Sequence, residues 1–186
     1  ERIKFSELGL EPVIINGLSG MGYTEATAIQ SASLPSSLQG KDMLCLSETG
    51  SGKTLSFVLP IVNALVKLQQ EGISRKETQS FALILSPTRE LSLQTKEYFD
   101  RFEQNGVSGW GTTAIYGGTD PMKQVIELAR LPAIIIGTPG RVLHHLENTK
   151  GFNLNGLRYL VLDEADKLLN MDSEKQISDI NALIPK

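Results

Sequence analysis

Five short apolar runs alternate along this chain with longer stretches of helical spacing, and this alternation limits the possible fold most. It is typical of a parallel sheet whose strands are joined by helices. Runs such as AIIIG and YLVLD are apolar at successive positions, which predicts strands buried on both faces. We expect an α/β fold with a mostly parallel central β-sheet and helices on both faces. The predicted strands are Met43 to Leu46, Phe81 to Leu85, Thr112 to Tyr116, Ala133 to Ile136 and Tyr159 to Leu162, and the predicted helices are roughly 54–69, 89–104, 121–130, 140–148 and 174–183.

Composition limits the class of protein. A chain of 186 residues with 40% hydrophobic content can bury one substantial core, so we expect one domain. The single cysteine, Cys45, excludes an internal disulfide, and its place in a predicted strand favours packing over reactivity. No apolar stretch approaches the length of a membrane span. A net charge of −3 argues mildly against a nucleic-acid partner.

The stretch SETGSGKT, which follows the first predicted strand, indicates a phosphate-binding loop. The strict pattern G-x-x-x-x-G-K-[ST] has glycine where this chain has Ser47, but the close approach of backbone to phosphate depends on Gly50 and Gly52. Lys53 would neutralise the outer phosphates, and the Thr54 hydroxyl would bind Mg²⁺. The alternative is a glycine-rich hairpin that contains the sequence GKT by chance. The candidate nucleotide-binding residues of this loop are Ser47, Glu48, Thr49, Gly50, Ser51, Gly52, Lys53 and Thr54.

A second candidate site follows the strand YLVL, where the chain reads DEAD. An acidic residue at a strand end can hold Mg²⁺ through water, and that role falls to Asp163. Glu164 is placed to orient and deprotonate an attacking water. The simpler alternative is an acidic helix cap. With a GKT sequence upstream, the two motifs predict Lys53, Asp163 and Glu164 as catalytic residues, with Thr54 and Asp163 sharing the metal.

Taken with PTRELSLQ at 87–94, GG at 117 and 118 and TPGR at 138–141, these motifs resemble those of the DEAD-box ATP-dependent RNA helicases. The resemblance covers essentially all 186 residues and is to the first RecA-like domain, a P-loop NTPase fold. Alanine is usual in this family at the first position of the loop motif, so Ser47 is one small residue in place of another. The resemblance implies ATP and Mg²⁺ as cofactors.

The segment GYTEATAIQ at 22–30 resembles the Q motif of the same family. The resemblance implies that Gln30 reads the adenine edge and that Phe5 stacks on the adenine ring. Ala26 departs from the usual proline, which would loosen the turn before Thr27.

The resemblance also implies that the remaining strand ends contact RNA. Hydroxyls, exposed N–H groups and arginines suit sugar and phosphate oxygens, so binding should be independent of sequence. Without the other motifs, TPGR and PTRE would be equally consistent with helix starts that carry a solvated arginine. The candidate RNA-binding residues are Thr88, Arg89, Gly117, Gly118, Thr138, Gly140 and Arg141.

The resemblance implies one domain over 1–186, with the Q-motif segment at about 3–31 and a second RecA-like domain as a partner outside this chain. The isolated domain should be monomeric and nearly inactive, because the partner domain supplies an arginine finger worth roughly 10³ to 10⁵ in rate. One alternative is a scaffold module of the same fold without turnover, which would not need Lys53, Thr54, Asp163 and Glu164 together. A further alternative is a translocating DNA helicase of related fold. It is less favoured, because the DEAD sequence and Gln30 go with the RNA-acting branch.

The stretch from HLENTKGF to LLNMD is similar to helicases that act in ribosomal RNA processing. This similarity implies a location in the nucleus or nucleolus, with the cytoplasm as the alternative. Ser173 stands where a bulky aromatic residue is common. His144 and His145 lack acidic or cysteine neighbours at metal spacing, so we interpret them as a solvated or hydrogen-bonded pair, and Trp110 is too isolated to form a stacking platform.

Overall fold

A computed structural model describes residues 3–170 and 173–186 of the chain, and it divides them into two compact units. The first unit runs up to Ile73 and includes Tyr98–Gly109. The second comprises Ser74–Glu97 and the chain from Trp110 onward.

The first unit is helical. A short 3-10 helix at Phe5–Glu7 precedes the helices α1 (Pro12–Gly20), α2 (Ala28–Ser37) and α3 (Lys53–Gln70). Helix α3 packs against α2 and buries an apolar face, which confirms the helix predicted over 54–69. Helices α1 and α2 were not predicted, because small and polar residues interrupt their apolar spacing.

The second unit is built on a four-stranded parallel sheet. Its strands are β1 (Ala82–Leu85), β2 (Thr112–Ile115), β3 (Ile134–Gly137) and β4 (Tyr159–Leu162), in the spatial order β2-β3-β1-β4. The connecting helices are α4 (Arg89–Gln104), which continues into the first unit, α5 (Pro121–Ala129), α6 (Pro139–Asn148), α7 (Ala165–Asn170) and α8 (Glu174–Ala182). The α/β class and the parallel sheet are confirmed.

One core cluster holds the second unit together. Leu83, Leu85, Ile115 and Ile135 of the sheet are buried in it, and they meet side chains from the helices and from the loop before β4. The other buried members are Leu128, Val142, Phe152, Leu154, Leu168 and Ile180.

The strand predicted at Met43 to Leu46 is wrong. These residues have no regular secondary structure, and Leu44 and Leu46 are 83% and 82% exposed. A β-rich apolar run becomes a strand only where a neighbouring strand accepts its backbone hydrogen bonds, and no strand in the described part of the chain pairs with this one. Cys45 is accordingly half-buried in an irregular segment rather than packed inside a strand.

Continuous burial holds for β3 and not for β4. Ile134, Ile135 and Ile136 are fully buried, as the AIIIG run predicts, whereas burial alternates along β4 and leaves Leu160 39% exposed and Leu162 36% exposed. Alternate residues of a strand point to opposite faces, so Leu160 and Leu162 lie on one face of β4, an outer strand of the sheet, and that face is incompletely covered in the described part of the chain. The prediction that YLVLD is buried on both faces is therefore wrong.

No helix among the described residues combines the length and the apolar character that crossing a membrane would require.

Candidate functional site

The glycine loop of the first unit leads directly into helix α3. Gly52 is the N-cap residue with φ of 93°, and Lys53 is the first helical residue. No side chain caps the helix and no acidic residue lies in its first turn. Unsatisfied N–H groups at the start of a helix of 18 residues favour an anion, and so does the adjacent ammonium group. The residues present therefore fit a bound phosphate.

The loop is closed on itself in this structure. The Lys53 ammonium group donates to the backbone carbonyl of Ser47, and the hydroxyls of Ser47 and Ser51 lie 2.6 Å apart. Glu48 and Thr49 are exposed. These internal bonds occupy the Lys53 ammonium group and the two hydroxyls and leave the helix-start N–H groups uncapped, so nucleotide binding would exchange the Lys53 bond for contacts to phosphate oxygens.

Gln30 supports this loop from helix α2. Its Oε1 accepts from the backbone N–H of Thr27 at 2.9 Å, and its Nε2 donates to the carbonyl of Gly52 at 3.0 Å. Gln30 is only 3% exposed, and the contact with Gly52 leaves one amide hydrogen for another acceptor. The reading of adenine by Gln30 stays a prediction.

Phe5 lies in a segment held against the Q motif. Its backbone N–H donates to Thr24, and the N–H of Ala26 donates to Ile3 at 2.8 Å. The Phe5 side chain is 2% exposed, so an adenine ring could stack on it only after the covering side chains moved. Ala26 is also buried, and its N–H makes a bond that a proline could not make. The stacking role of Phe5 stays a prediction.

The carboxyl ends of all four strands of the second unit lie at one edge of the sheet. Leu85 is in register with Gly137 and with Leu162, and Ile115 is in register with Gly137. The residues that follow these strands therefore emerge side by side, and they include Asp163 and several of the predicted RNA-binding residues.

Asp163 and Glu164 occupy the tip of β4. The backbone N–H of Asp163 donates to Leu85 at 2.9 Å, which extends the sheet pairing by one residue. Glu164 has φ of 50°, a left-handed conformation that is uncommon for a residue other than glycine and that clusters at functional sites. The Glu164 carboxylate pairs with the ammonium group of Lys167 and raises the pKa of Lys167. The assignment of Asp163 to the metal and of Glu164 to the attacking water stays a prediction.

Four of the seven predicted RNA-binding residues line one open depression of about 420 Å³ in the second unit. Thr138 is the N-cap residue of α6 and makes no capping side-chain bond, so the first N–H groups of the helix are available. Arg141 lies in the first turn, and its buried Nη1 has no hydrogen-bond partner. An unsatisfied guanidinium N–H beside a helix start suits a phosphate oxygen. The lining comprises Gly117, Pro121, Thr138, Gly140, Arg141 and His144.

Thr88 and Arg89 follow the neighbouring strand end. The Thr88 hydroxyl accepts from the N–H of Leu91 at 3.2 Å, so it caps helix α4. The Arg89 guanidinium lies 5.0 Å from the ring centre of Tyr116, a cation–π distance. Gly118 is exposed with φ of 77° in the turn after Tyr116, a conformation that favours glycine.

A buried polar pair that the sequence did not predict lies near the depression. His145 is fully buried, with Nδ1 2.7 Å from the Thr149 hydroxyl and Nε2 2.9 Å from Oε1 of Gln124. This confirms the hydrogen-bonded interpretation for His145, whereas His144 is exposed. Burial, then the nearby His144 and Arg141, lowers the pKa of His145 to about 4. The only sequence signal for Gln124 was a polar residue on the inner side of an amphipathic helix.

The fold and the glycine loop define a RecA-like α/β domain. The solved structure described as DEAD-box helicase Mss116 bound to ssRNA and UDP-BeF matches 100% of this chain and 39% of its own chain, with a TM-score of 0.87 and 26% identity. The family model for DEAD/DEAH box helicases matches residues 27–186. The chain belongs to the DEAD/DEAH box helicase family, which confirms the resemblance read from its motifs.

Two curated relatives cover nearly the whole chain. The human protein named probable ATP-dependent RNA helicase DDX47 is 48% identical over 183 residues, which are 98% of this chain and 38% of that protein. The ATP-dependent rRNA helicase RRP3 of Meyerozyma guilliermondii is 45% identical over 183 residues, which are 97% of this chain and 36% of that protein. The chain thus spans little more than a third of the length of these relatives.

Proposed function

We propose that this chain is the ATP-binding part of an ATP-dependent RNA helicase that acts in ribosomal RNA processing. Both relatives above are named as RNA helicases, and the yeast relative is named as an rRNA helicase. A role in ribosomal RNA processing would place the protein in the nucleus or nucleolus. A second RecA-like domain is the expected partner within the full-length protein.

In the proposed function, the uncapped start of α3 and the Lys53 ammonium group hold the phosphates of ATP. Thr54 and Asp163 would hold Mg²⁺, which supplies charge neutralisation at the phosphates when it is bound. Glu164 accepts a proton from the attacking water. Gln30 keeps the loop in place through Gly52, and its remaining amide hydrogen is free to meet adenine.

RNA would bind along the carboxyl edge of the sheet in the second unit. The observation that carries this proposal is the depression at the start of α6, where four predicted RNA-binding residues meet. One of them, Arg141, has a buried Nη1 without a hydrogen-bond partner. Backbone N–H groups and one arginine recognise sugar and phosphate and not bases, so binding should be independent of sequence.

The test measures binding of a fluorescein-labelled uridine decamer to the full-length protein in the presence of ADP and beryllium fluoride. Arg141→Ala should weaken binding about tenfold, because it removes a charge-assisted bond. The matched control is Arg158→Ala, which removes an exposed arginine at the amino end of β4, the opposite end of the sheet. Equal effects of the two variants would contradict a phosphate contact at Arg141.

A further inference from the structure

A buried hydrogen-bond network joins the two sides of the depression. Gln124, on helix α5, is 6% exposed, and its amide nitrogen donates to the carbonyl of Tyr116 at 2.9 Å and to the Thr119 hydroxyl at 2.8 Å. Both amide hydrogens are therefore used on the turn that contains Gly117 and Gly118. The amide cannot be turned around, because the carbonyl of Tyr116 only accepts hydrogen bonds.

The orientation of Gln124 determines the proton position on His145. Since Oε1 of Gln124 only accepts, Nε2 of His145 must carry the hydrogen, and Nδ1 then accepts from the Thr149 hydroxyl in the neutral ring. Every polar atom of the Gln124 and His145 side chains has a partner. A fully satisfied buried network of this kind fixes the relative positions of the segments that it joins.

The segments so joined are those that would contact RNA. His145 lies on α6, whose first turn carries Thr138, Gly140 and Arg141, and Gln124 holds the turn with the two glycines. Tyr116 also provides the ring beneath Arg89. One buried pair therefore sets the spacing between the glycine turn and the start of α6, and it fixes the residue on which Arg89 rests.

We propose that Gln124 and His145 are positioning residues for RNA binding, which hold the glycine turn and the first turn of α6 at the separation that a nucleic-acid backbone requires. This inference rests on the proposed function, since it needs the depression to be the RNA site. Neither side chain touches the RNA. Their contribution should appear in RNA affinity and not in nucleotide affinity.

The test again uses the full-length protein, the labelled uridine decamer and ADP with beryllium fluoride, with a fluorescent ADP analogue as the second probe. Gln124→Met keeps the length of the side chain and removes its hydrogen bonds. It should weaken RNA binding about tenfold and leave nucleotide affinity within about twofold. Thr119→Val removes one of the bonds at a half-buried site outside the core, and it should weaken RNA binding to a smaller extent.

Leu128→Ala is the matched control for general destabilisation. Leu128 is buried on the same helix and makes no polar link to the turn, so its truncation should lower the melting temperature while RNA affinity stays within about twofold. His145→Leu should reproduce the loss of RNA affinity, and His145→Gln should recover much of it, because the glutamine amide can donate toward Gln124.

Three outcomes would overturn the inference. The first is that RNA affinity is unchanged in both Gln124→Met and Thr119→Val while Arg141→Ala still binds RNA more weakly. This result would refute the positioning role and leave the proposed RNA site unaffected. RNA affinity that falls in Leu128→Ala as much as in Gln124→Met would reduce the pair to a stabilising role. Unchanged affinity in Arg141→Ala would refute the RNA site and this inference with it.

Discussion

Gln30 donates a hydrogen bond of 3.0 Å to the backbone carbonyl of Gly52, the N-cap residue of the helix that follows the phosphate loop. The same side chain accepts from the N–H of Thr27, so its position is fixed at both ends. A residue 22 positions upstream therefore sets the backbone of the loop. The Q motif would act on nucleotide binding through the loop as well as through any contact with adenine.

Gln30→Glu should weaken ATP binding about fivefold or more. The carboxylate can still accept from Thr27 but cannot donate to Gly52, and one lost hydrogen bond contributes about 1 kcal/mol. Titration calorimetry on the full-length protein measures the change. Gln39→Glu, an exposed glutamine in the same unit, is the control and should leave affinity unaltered. A normal dissociation constant for Gln30→Glu would show that the bond to Gly52 is dispensable.

Substitution of the two loop glycines should have unequal effects. Gly50 and Gly52 both have positive φ, so alanine costs about 1 kcal/mol of backbone strain at either position. At Gly50 the added methyl group meets open space, whereas at Gly52 it would lie 2.5 Å from Nε2 of Gln30. Gly52→Ala should therefore lower the free energy of unfolding and the ATP affinity more than Gly50→Ala, as measured by urea denaturation and calorimetry. The reverse order would contradict this account of the loop.

Lys53→Ala should abolish measurable ATP binding, because it removes the ammonium group at the start of α3. Lys67→Ala is a suitable control: it lies in the last turn of the same helix, its side chain is 53% exposed, and it makes one long ion pair of 3.9 Å with Glu11. Calorimetry should find ATP affinity within about twofold of wild type for the control. Tight ATP binding by Lys53→Ala would show that the loop does not hold the phosphates of ATP.

Glu164→Gln should separate binding from hydrolysis. The amide occupies the same volume but cannot take a proton, so RNA-stimulated phosphate release by the full-length protein should fall at least about 100-fold, while the dissociation constant for ATP changes little. Glu174→Gln removes an exposed acid at the start of α8 and should leave turnover unchanged. Retained hydrolysis in Glu164→Gln would assign the base to another residue.

Acidification should destabilise the second unit through His145. Burial lowers the pKa of this ring from 6.5 to about 4. Between these two pH values, the ring takes up a proton in the unfolded chain but not in the folded chain. The contribution of His145 to the free energy of unfolding is therefore highest above pH 6.5, and it decreases as the pH falls toward 4, by on the order of 3 kcal/mol. Urea denaturation between pH 7.5 and pH 4.5 should show wild type losing stability relative to His145→Gln, which has no ring to titrate. If the free energy of unfolding changed with pH to the same extent in both proteins, the lowered pKa of His145 would be contradicted.

The local sequence was sufficient to predict several elements of the fold. Arg89 begins a helix at the predicted position, Tyr159 to Leu162 form the predicted strand, and the helix after Gly52 runs over the predicted range. The two helices each have a start signal as well as an apolar period, namely the glycine turn before Lys53 and the threonine cap at Thr88, and the strand is a continuous apolar run. These signals act between residues close in the chain, so they can be read without the fold.

The errors have a common physical origin. The run from Met43 to Leu46 has the composition of a strand but no strand partner, and β4 has the composition of a central strand but lies at the edge of the described sheet. Whether an apolar run is paired and covered depends on segments distant in the chain. Composition predicts the tendency of such a run, and only the assembled sheet decides the outcome.

The sequence by itself determined the family, the glycine loop, the acidic strand end and the residues expected to meet ATP and RNA, because these depend on residue type at fixed spacing. The tertiary structure alone decided that Gln30 supports Gly52, that Arg141 lines a depression and has a buried Nη1 without a partner, and that Gln124 and His145 form one buried network. Hydrogen bonds between residues 21 or 22 positions apart depend on how helices pack, and no local pattern in the chain records that packing.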